Sequence, residues 1–306
     1  MSVPQVEPSG ILLIDKHAGA TSHDIVYKVR RALHTKRVGH TGTLDPMATG
    51  VLVVLVGRAA KACEYVSHDR KVYKATLRLG LTTDTEDVTG TVLTTSDALP
   101  TPDQVAEVCR RFVGRIQQIP PMYSALKVDG QKLCDLARKG VEVERAAREI
   151  EIFSLSCEPT DTASDYILTV DCSGGTYIRT LCADIGAALG CGGAMATLQR
   201  VQTGGFALAD CMTTAELEAM DDAQRLSRLL PVEVLFSDLP AVSLPDFYKR
   251  LCRNGCEIYQ SKIHTSLALA TRVRICDARG HFFALGEVRD YESGSAIAMI
   301  KLFELE

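Results

Sequence analysis

The chain has 306 residues, 46% of them hydrophobic and 24% charged, with a net charge of −4. That composition excludes a disordered or low-complexity chain and fits one large domain, or a large domain with a small companion. No apolar run approaches the ~20 residues of a bilayer span, and residues 1–15 show no basic start or long apolar core, so a cytoplasmic protein without a signal peptide or membrane contact is expected.

Thr21, with Asp24 three residues on, has the form of a helix capping box. Ile25, Val26, Val29 and Leu33 then recur at the spacing of one helical face. Lys28, Arg30, Arg31, Lys36 and Arg37 fall mainly on the other face and in the exit, making an amphipathic helix with a basic outer surface. From Lys16 to Arg37 six Lys or Arg stand against one Asp, a local net of +5. From Asp210 to Asp238 seven acids stand against two arginines, a local net of −5. Phosphate binding depends on the local field and not on the total, so the basic helix is either a nucleic-acid surface or a solvated face.

The helix leads into GHTGTLDPMATGVL at 39–52, which sets one carboxylate, Asp45, among glycines, hydroxyls and a proline. Glycine and proline shape a loop that can hold a side chain rigidly, and the apolar run 51–56 behind it reads as a buried strand. Asp45 is therefore read as a reactive group on a loop positioned by a strand. A phosphate cradle is the poorer reading, because no G-x-x-x-x-G-K-[ST] is present and an acid in the loop would repel phosphate.

Residues 72–81 and 90–93 read as strands around a polar loop at 82–87, and 102–113 as a helix. Ile119-Pro120-Pro121 breaks the pattern. Asp129-Gly130 reads as a turn, and 132–139 as a short helix stopped by Gly140. This peripheral excursion carries Lys127, Lys132, Arg138, Lys139, Arg145 and Arg148 against four acids. Strands resume at 150–157 and 166–172, and a helix follows the Ser173-Gly174-Gly175 turn from about Ile178 to Leu189. Residues 215–230 read as an acidic helical stretch. Beyond about Pro240, strands at 267–276, 282–288 and 297–303 suggest a small all-β module. The eleven cysteines lack Cys-x-x-Cys spacing, and Cys252 with Cys256 has no second pair, so free buried thiols and no metal are expected.

The 39–52 segment resembles the catalytic motif of bacterial tRNA pseudouridine synthases of the TruB type. The segments at 10–16, 73–75, 119–127 and 175–181 follow that family's pattern in the same order, so the resemblance covers most of the first 205 residues. It implies an α+β fold: a catalytic domain at 1–236 with a mixed or antiparallel sheet and flanking helices, a thumb-like insertion at about 121–149, and a PUA-like RNA-binding module at 237–306. It implies isomerisation of uridine to pseudouridine at position 55, in the T-loop of tRNA. The partner is then the tRNA T-stem loop, with no guide RNA, and a monomer is the simplest default. The reaction gains no atoms and changes no oxidation state, so no cofactor is expected.

By the same resemblance Asp45 is the nucleophile, Arg179 its ion-pair partner, and Tyr73 the platform for the flipped base and proton relay. Leu198 would line the uracil pocket, His40 hold the flipped-out region, Lys16 and Lys61 contact phosphate, and Asp84 face the tRNA. The chain departs from the family's pattern at three points: His17 follows Lys16, Gly174 stands where a lysine is usual, and Gln199 replaces an arginine. Each loses rigidity or positive charge near the RNA, which bears on affinity and leaves the chemistry alone. The competing reading is a non-catalytic RNA-binding or tRNA-folding protein, which would not need a carboxylate in a positive groove.

Overall fold

The computed structural model describes residues 7–66, 70–124, 126–128 and 130–303. Asp129 of the expected turn, Ala125 of the 119–127 motif and the side chains of Lys127 and Lys132 lie outside the described residues. The chain enters through β1 (Gly10–Lys16), whose apolar residues are buried on both faces. Thr21 caps α1 (Ser22–Ala32) through the expected box, its hydroxyl accepting from the Asp24 N–H and the Asp24 carboxylate from the Thr21 N–H. After β2 (Val38–His40) and the Asp45 loop, the apolar run forms β3 (Thr49–Val56), seven of its eight residues buried.

Next come β4 (Lys71–Leu79) and a separate hairpin of β5 (Leu81–Thr83) and β6 (Val92–Thr95). The helix α2 (Pro102–Arg110) starts at Thr101, which closes a second capping box with Gln104 ahead of a proline at the first turn. An unanticipated edge strand, β7 (Gly114–Gln118), follows. The basic excursion folds as β8 (Lys127–Val128), β9 (Gln131–Lys132) and α3 (Leu133–Ala137). Then come β10 (Arg148–Pro159), β11 (Asp165–Cys172), α4 (Ile178–Leu189), β12 (Gly193–Thr203), β13 (Phe206–Ala207) and β14 (Met212–Thr213).

The main sheet runs β14-β1-β3-β12-β4-β11-β10-β7, with β2 added to β3 and β13 to β12. Its pairings are antiparallel except β1 with β14 and β3 with β12. At the β3–β12 seam pairing lasts only two residues a side, Thr49 with Gln199 and Gly50 with Arg200. One core lies between α2, α4 and strands β4, β10, β11 and β12. Another lies between α1 and strands β1 and β3. The sheet therefore consists of two well-packed halves joined at a narrow seam, and the Asp45 loop leads into it.

The acidic stretch forms two short helices, α5 (Thr214–Ala219) and α6 (Asp222–Ser227), because Asp221 breaks the run by capping the second. They pack along α1. Lys28 lies 3.5 Å from the Glu218 carboxylate, His34 3.7 Å from Asp222, and Arg225 donates to the Ala32 carbonyl at 3.2 Å. The basic and acidic segments thus answer each other inside the chain, and the helix is less of a free cationic face than its sequence suggests.

The C-terminal module contains β15 (Ala241–Leu244), α7 (Asp246–Arg253), β16 (Ile258–Tyr259), β17 (Arg272–Asp277), β18 (Phe282–Tyr291) and β19 (Gly294–Leu302). Its sheet order is β15-β17-β18-β19-β16. It is β-rich, with one amphipathic helix added to the expected strands. Phe236, Phe282 and Phe303 pack with centroids 5.5 to 5.9 Å apart and join this module to Ala62 and Val66 of the main body. No helix among the described residues is long and apolar enough to cross a membrane.

Of the loop's glycines, Gly50 is the one whose backbone requires it. Its φ is +101°, and a Cβ there would overlap the Arg200 carbonyl across the seam. Gly50→Ala should lower stability by about 2–4 kcal/mol, since it adds backbone strain and an overlap that backbone atoms must relieve. Urea unfolding beside wild type checks this, and an unchanged midpoint would contradict the tight seam.

Candidate active site

Three buried groups fix the loop that carries Asp45. Ser22, at the start of α1, accepts from the Leu44 N–H at 2.9 Å and donates to the Leu44 carbonyl at 3.2 Å. Lys16, the last residue of β1, is fully buried and donates to the carbonyls of His17 (3.1 Å), Pro46 (3.2 Å) and Ala48 (2.5 Å). Arg200 on β12, 1% exposed, donates from Nε to the Val51 carbonyl at 2.8 Å and from Nη2 to the Gly42 carbonyl at 3.1 Å. Backbone carbonyls facing inward need donors, and these cations supply them from both sides of the loop.

Arg179, in the first turn of α4, meets Asp45 with two prongs. Nε lies 3.0 Å from Oδ2, and Nη2 donates to Oδ1 at 3.2 Å. Its other N–H groups reach the Tyr123 carbonyl at 2.8 Å and the Thr85 carbonyl at 3.2 Å, while Asp87 Oδ2 stands 3.9 Å from Nη1. The Arg179 side chain is 7% exposed whereas that of Asp45 keeps 31%, so the carboxylate is approachable from one side only. Burial pushes the Asp45 carboxyl above the ordinary carboxylate range; Arg179 works against that rise and Asp87 adds to it.

Asp87 is placed by a loop that is pinned to the sheet. The Glu86 carbonyl accepts from the Met195 N–H at 3.0 Å, and the Val88 N–H donates to the Met195 carbonyl at 3.0 Å. Asp87 Oδ1 in turn accepts from the Thr89 N–H at 2.9 Å and from both the Thr85 and Thr89 hydroxyls. On the other flank, Gln118 and the Tyr177 backbone exchange two hydrogen bonds of 2.9 and 3.0 Å, holding the turn before α4.

Asp45 and Arg179 open on a cavity of about 430 Å³ shared with Tyr73, Leu198, Tyr177 and Arg200. Tyr73 comes from β4 and Leu198 from β12, and both are buried. Burial pushes the Tyr73 phenol above its ordinary range, with Arg200 opposing. A wider groove of about 940 Å³ continues from Asp45 past His40, His23 and Arg138. The His40 Nδ1 is buried there without a partner, and burial lowers the ring's pKa.

The structure thus brings Asp45, Tyr73, Arg179 and Leu198 to one cavity and His40 to the adjoining groove. It places the other three sequence candidates elsewhere. Lys16 lies inside the loop, where three carbonyls take the hydrogens a phosphate would need. Lys61 sits on the 3₁₀ turn Gly57–Tyr65 and donates to the Leu302 carbonyl at 3.4 Å, against the C-terminal sheet. Asp84 is exposed and accepts from the Thr91 N–H at 2.7 Å, closing the β5–β6 hairpin. Sequence reasoning passed over Asp87, three residues further on, and Arg200. A period-two reading of 193–203 would have put Arg200 on the same face as Leu198.

The mixed sheet divided at a short seam, with its flanking helices and β-rich module, is an α+β fold. Solved chains titled "Crystal Structure of a Cbf5-Nop10-Gar1 Complex" and "Structure of H/ACA RNP bound to a substrate RNA containing 2'-deoxyuridine" share it. Their TM-scores are 0.74 and 0.72 at 24% and 22% identity, covering 96% and 97% of this chain and 85% of each of theirs. The chain belongs to the TruB family of pseudouridylate synthases. That family's N-terminal domain matches residues 30–178, and the tRNA pseudouridylate synthase B C-terminal domain matches residues 179–237. It is 45% identical over 279 residues to tRNA pseudouridine synthase B of Dechloromonas aromatica (strain RCB), covering 91% of both chains. It is 41% identical over 295 residues to that of Clostridium kluyveri, covering 96% of this chain and 99% of the relative.

Behind the site, Asp184 on α4 stands near Glu86, whose carboxylate accepts from the Thr180 hydroxyl at 2.6 Å. Burial, reinforced by Glu86, pushes the Asp184 carboxyl up to about 6. A carboxyl raised on folding favours the fold fully below its unfolded pKa of roughly 4 and loses that contribution as pH rises through the folded value. At neutral pH the ionised group is therefore a burden. Asp184→Asn should stabilise the protein by about 1–2 kcal/mol at pH 8 and be nearly neutral at pH 4. Thermal unfolding at the two pH values checks the sign.

Proposed function

We propose that the protein isomerises uridine to pseudouridine in tRNA, at position 55 of the T-loop, with Asp45 as the nucleophile at C1′. Breaking N1–C1′ and forming C5–C1′ moves one proton off C5 and puts one on N1, so nothing is consumed and no metal or redox group is called for. The carrying observation is the Asp45–Arg179 pair: a mostly buried carboxylate, oriented by one hydrogen bond and one close ion-pair contact, and open to a cavity of about 430 Å³. An anion in such a place takes up the positive charge that develops at C1′ and can leave again. The relatives named tRNA pseudouridine synthase B, which span nine-tenths or more of the chain, support tRNA as the substrate.

In this reading the target base leaves its stack, at a cost of a few kcal/mol, and enters the cavity between Tyr73 and Leu198. Tyr73 offers its ring for stacking and its hydroxyl for proton relay. His40 stands in the adjoining groove, where the displaced part of the loop would lie. The C-terminal β-rich module acts as a PUA-like module that extends the RNA contact beyond the stem loop.

Asp45→Asn, nearly isosteric and uncharged, should abolish tritium release from a tRNA transcript carrying [5-³H]uridine while leaving tRNA bound. Release by the variant, or loss of binding by a folded variant, would remove Asp45 from the centre of the chemistry. Release by neither protein, with tRNA bound, would favour an RNA-folding role. Lys16→Met separates the loop role from the phosphate role. Loss of one phosphate contact reduces the slope of log affinity against log salt by about 1. With its ammonium spent on three carbonyls, Lys16 should leave that slope unchanged and lower turnover instead.

A further inference from the structure

Arg200 is among the largest side chains wholly buried in the protein, and the chemistry assigned above makes no use of it. Its place in the sheet is unusual. Along β12 it is registered against Tyr73 of β4 on one side and against Gly50 of β3 on the other. It therefore bridges the seam at the point where the two halves of the sheet meet. Residues opposite each other across strands have neighbouring side chains, so the guanidinium and the phenol share one face and one cavity. The same guanidinium holds both ends of the Asp45 loop, at Gly42 and Val51.

We propose that Arg200 is a positioning residue that couples the Asp45 loop to Tyr73, fastening the loop at Gly42 and Val51 while seating the Tyr73 hydroxyl from the adjacent strand. The inference rests on the reading of Asp45 and Tyr73 given above. Because Nε and Nη2 are committed to fixed carbonyls, the guanidinium plane cannot rotate, and a shift of β4 or of the loop is felt by both. The groups that act on the Tyr73 phenol are Arg200 from β12, Cys172 from β11 and Asp45 from the loop, and Arg179 of α4, Tyr123, Tyr177 and Lys71 of its own strand line the same cavity. Burial raises the phenol's pKa and Arg200 is the largest influence in the opposite direction, so the cation steadies the oxygen through which a proton would pass. Lysine at this position would keep the charge and lose the fork that spans both loop ends.

The test uses full-length protein labelled with 3-fluorotyrosine, whose phenol is more acidic, with Tyr73→Phe to assign the ¹⁹F resonance. In Arg200→Gln the Tyr73 resonance should titrate at higher pH than in wild type. The single-turnover rate on tRNA should fall on the order of 100-fold, the scale of misplacing a reacting group by about 1 Å, with little change in tRNA affinity. Arg200→Lys should keep the titration near wild type but recover only part of the rate. An unmoved Tyr73 titration in Arg200→Gln overturns the proposal. So does full turnover in Arg200→Lys, which also decides the matter if the glutamine variant fails to fold. The ¹⁹F titration does not depend on turnover, so it stands apart from an Asp45→Asn result that would instead refute the nucleophile assignment.

Discussion

The constraint on which the structure turns is the ion pair between Asp45 and Arg179. Taking two charges out of water costs several kcal/mol each, and their mutual attraction offsets that only when the remaining hydrogen-bonding groups are also satisfied. Arg179 meets the condition by giving its spare N–H groups to the Tyr123 and Thr85 carbonyls. Those carbonyls sit on two loops far apart in sequence, so the pair brings both to one place. A single guanidinium thus ties the strap after Pro121 to the loop after β5, which Met195 also pins to the sheet. Asp45, by contrast, keeps one side uncovered, which the proposed role of nucleophile requires.

The seam explains why the pair sits where it does. Within a continuous sheet every strand residue is taken up by a neighbour, and no side chain can approach the backbone from between strands. At β3 and β12 the pairing stops after two residues, which leaves the carbonyls of the loop to be satisfied by side chains. Lys16, Ser22 and Arg200 do so from three different elements. The loop is consequently a rigid part of the seam, although by sequence it is a run of turn-forming residues.

Much of this was legible in the sequence because local signals agreed with tertiary demands. The capping box at Thr21, the apolar run behind Asp45 and the helix from about Ile178 to Leu189 all appear as read. The strand β12 was missed, though it lies at the centre of the main sheet. Its register slips at Met195/Thr197 and at Arg200/Gln202, and such bulges break the alternation by which a strand is recognised. The edge strand β7, which carries glutamines and an arginine in place of apolar residues, gave no signal either. The basic segment, open between a nucleic-acid surface and a solvated face, could not be settled locally for a different reason. A basic run looks like a ligand surface until its acidic complement, nearly two hundred residues away, folds against it. For Lys16 the resemblance implied a phosphate contact, but whether its ammonium faces water or carbonyls is decided by the fold, and here three carbonyls take it.

The positions where the chain departs from the family pattern can now be weighed. Gln199 lies between Leu198 and Arg200 on β12, and successive strand residues point to opposite faces, so the change leaves the cavity wall as it was. At His17 the rigidity a proline would supply comes from bonds already present: the Gly19 N–H donates to the Pro46 carbonyl at 2.8 Å, and the His17 carbonyl itself accepts from Lys16. Gly174 falls in a turn held by Ser173, whose hydroxyl accepts from the Glu151 N–H and whose carbonyl accepts from Thr176. None of the three removes a bond to Asp45, Arg179, Lys16 or Arg200. The groups that hold the site are buried and committed to backbone atoms, whereas these three positions lie on the opposite face of a strand or in turns whose shape other residues set.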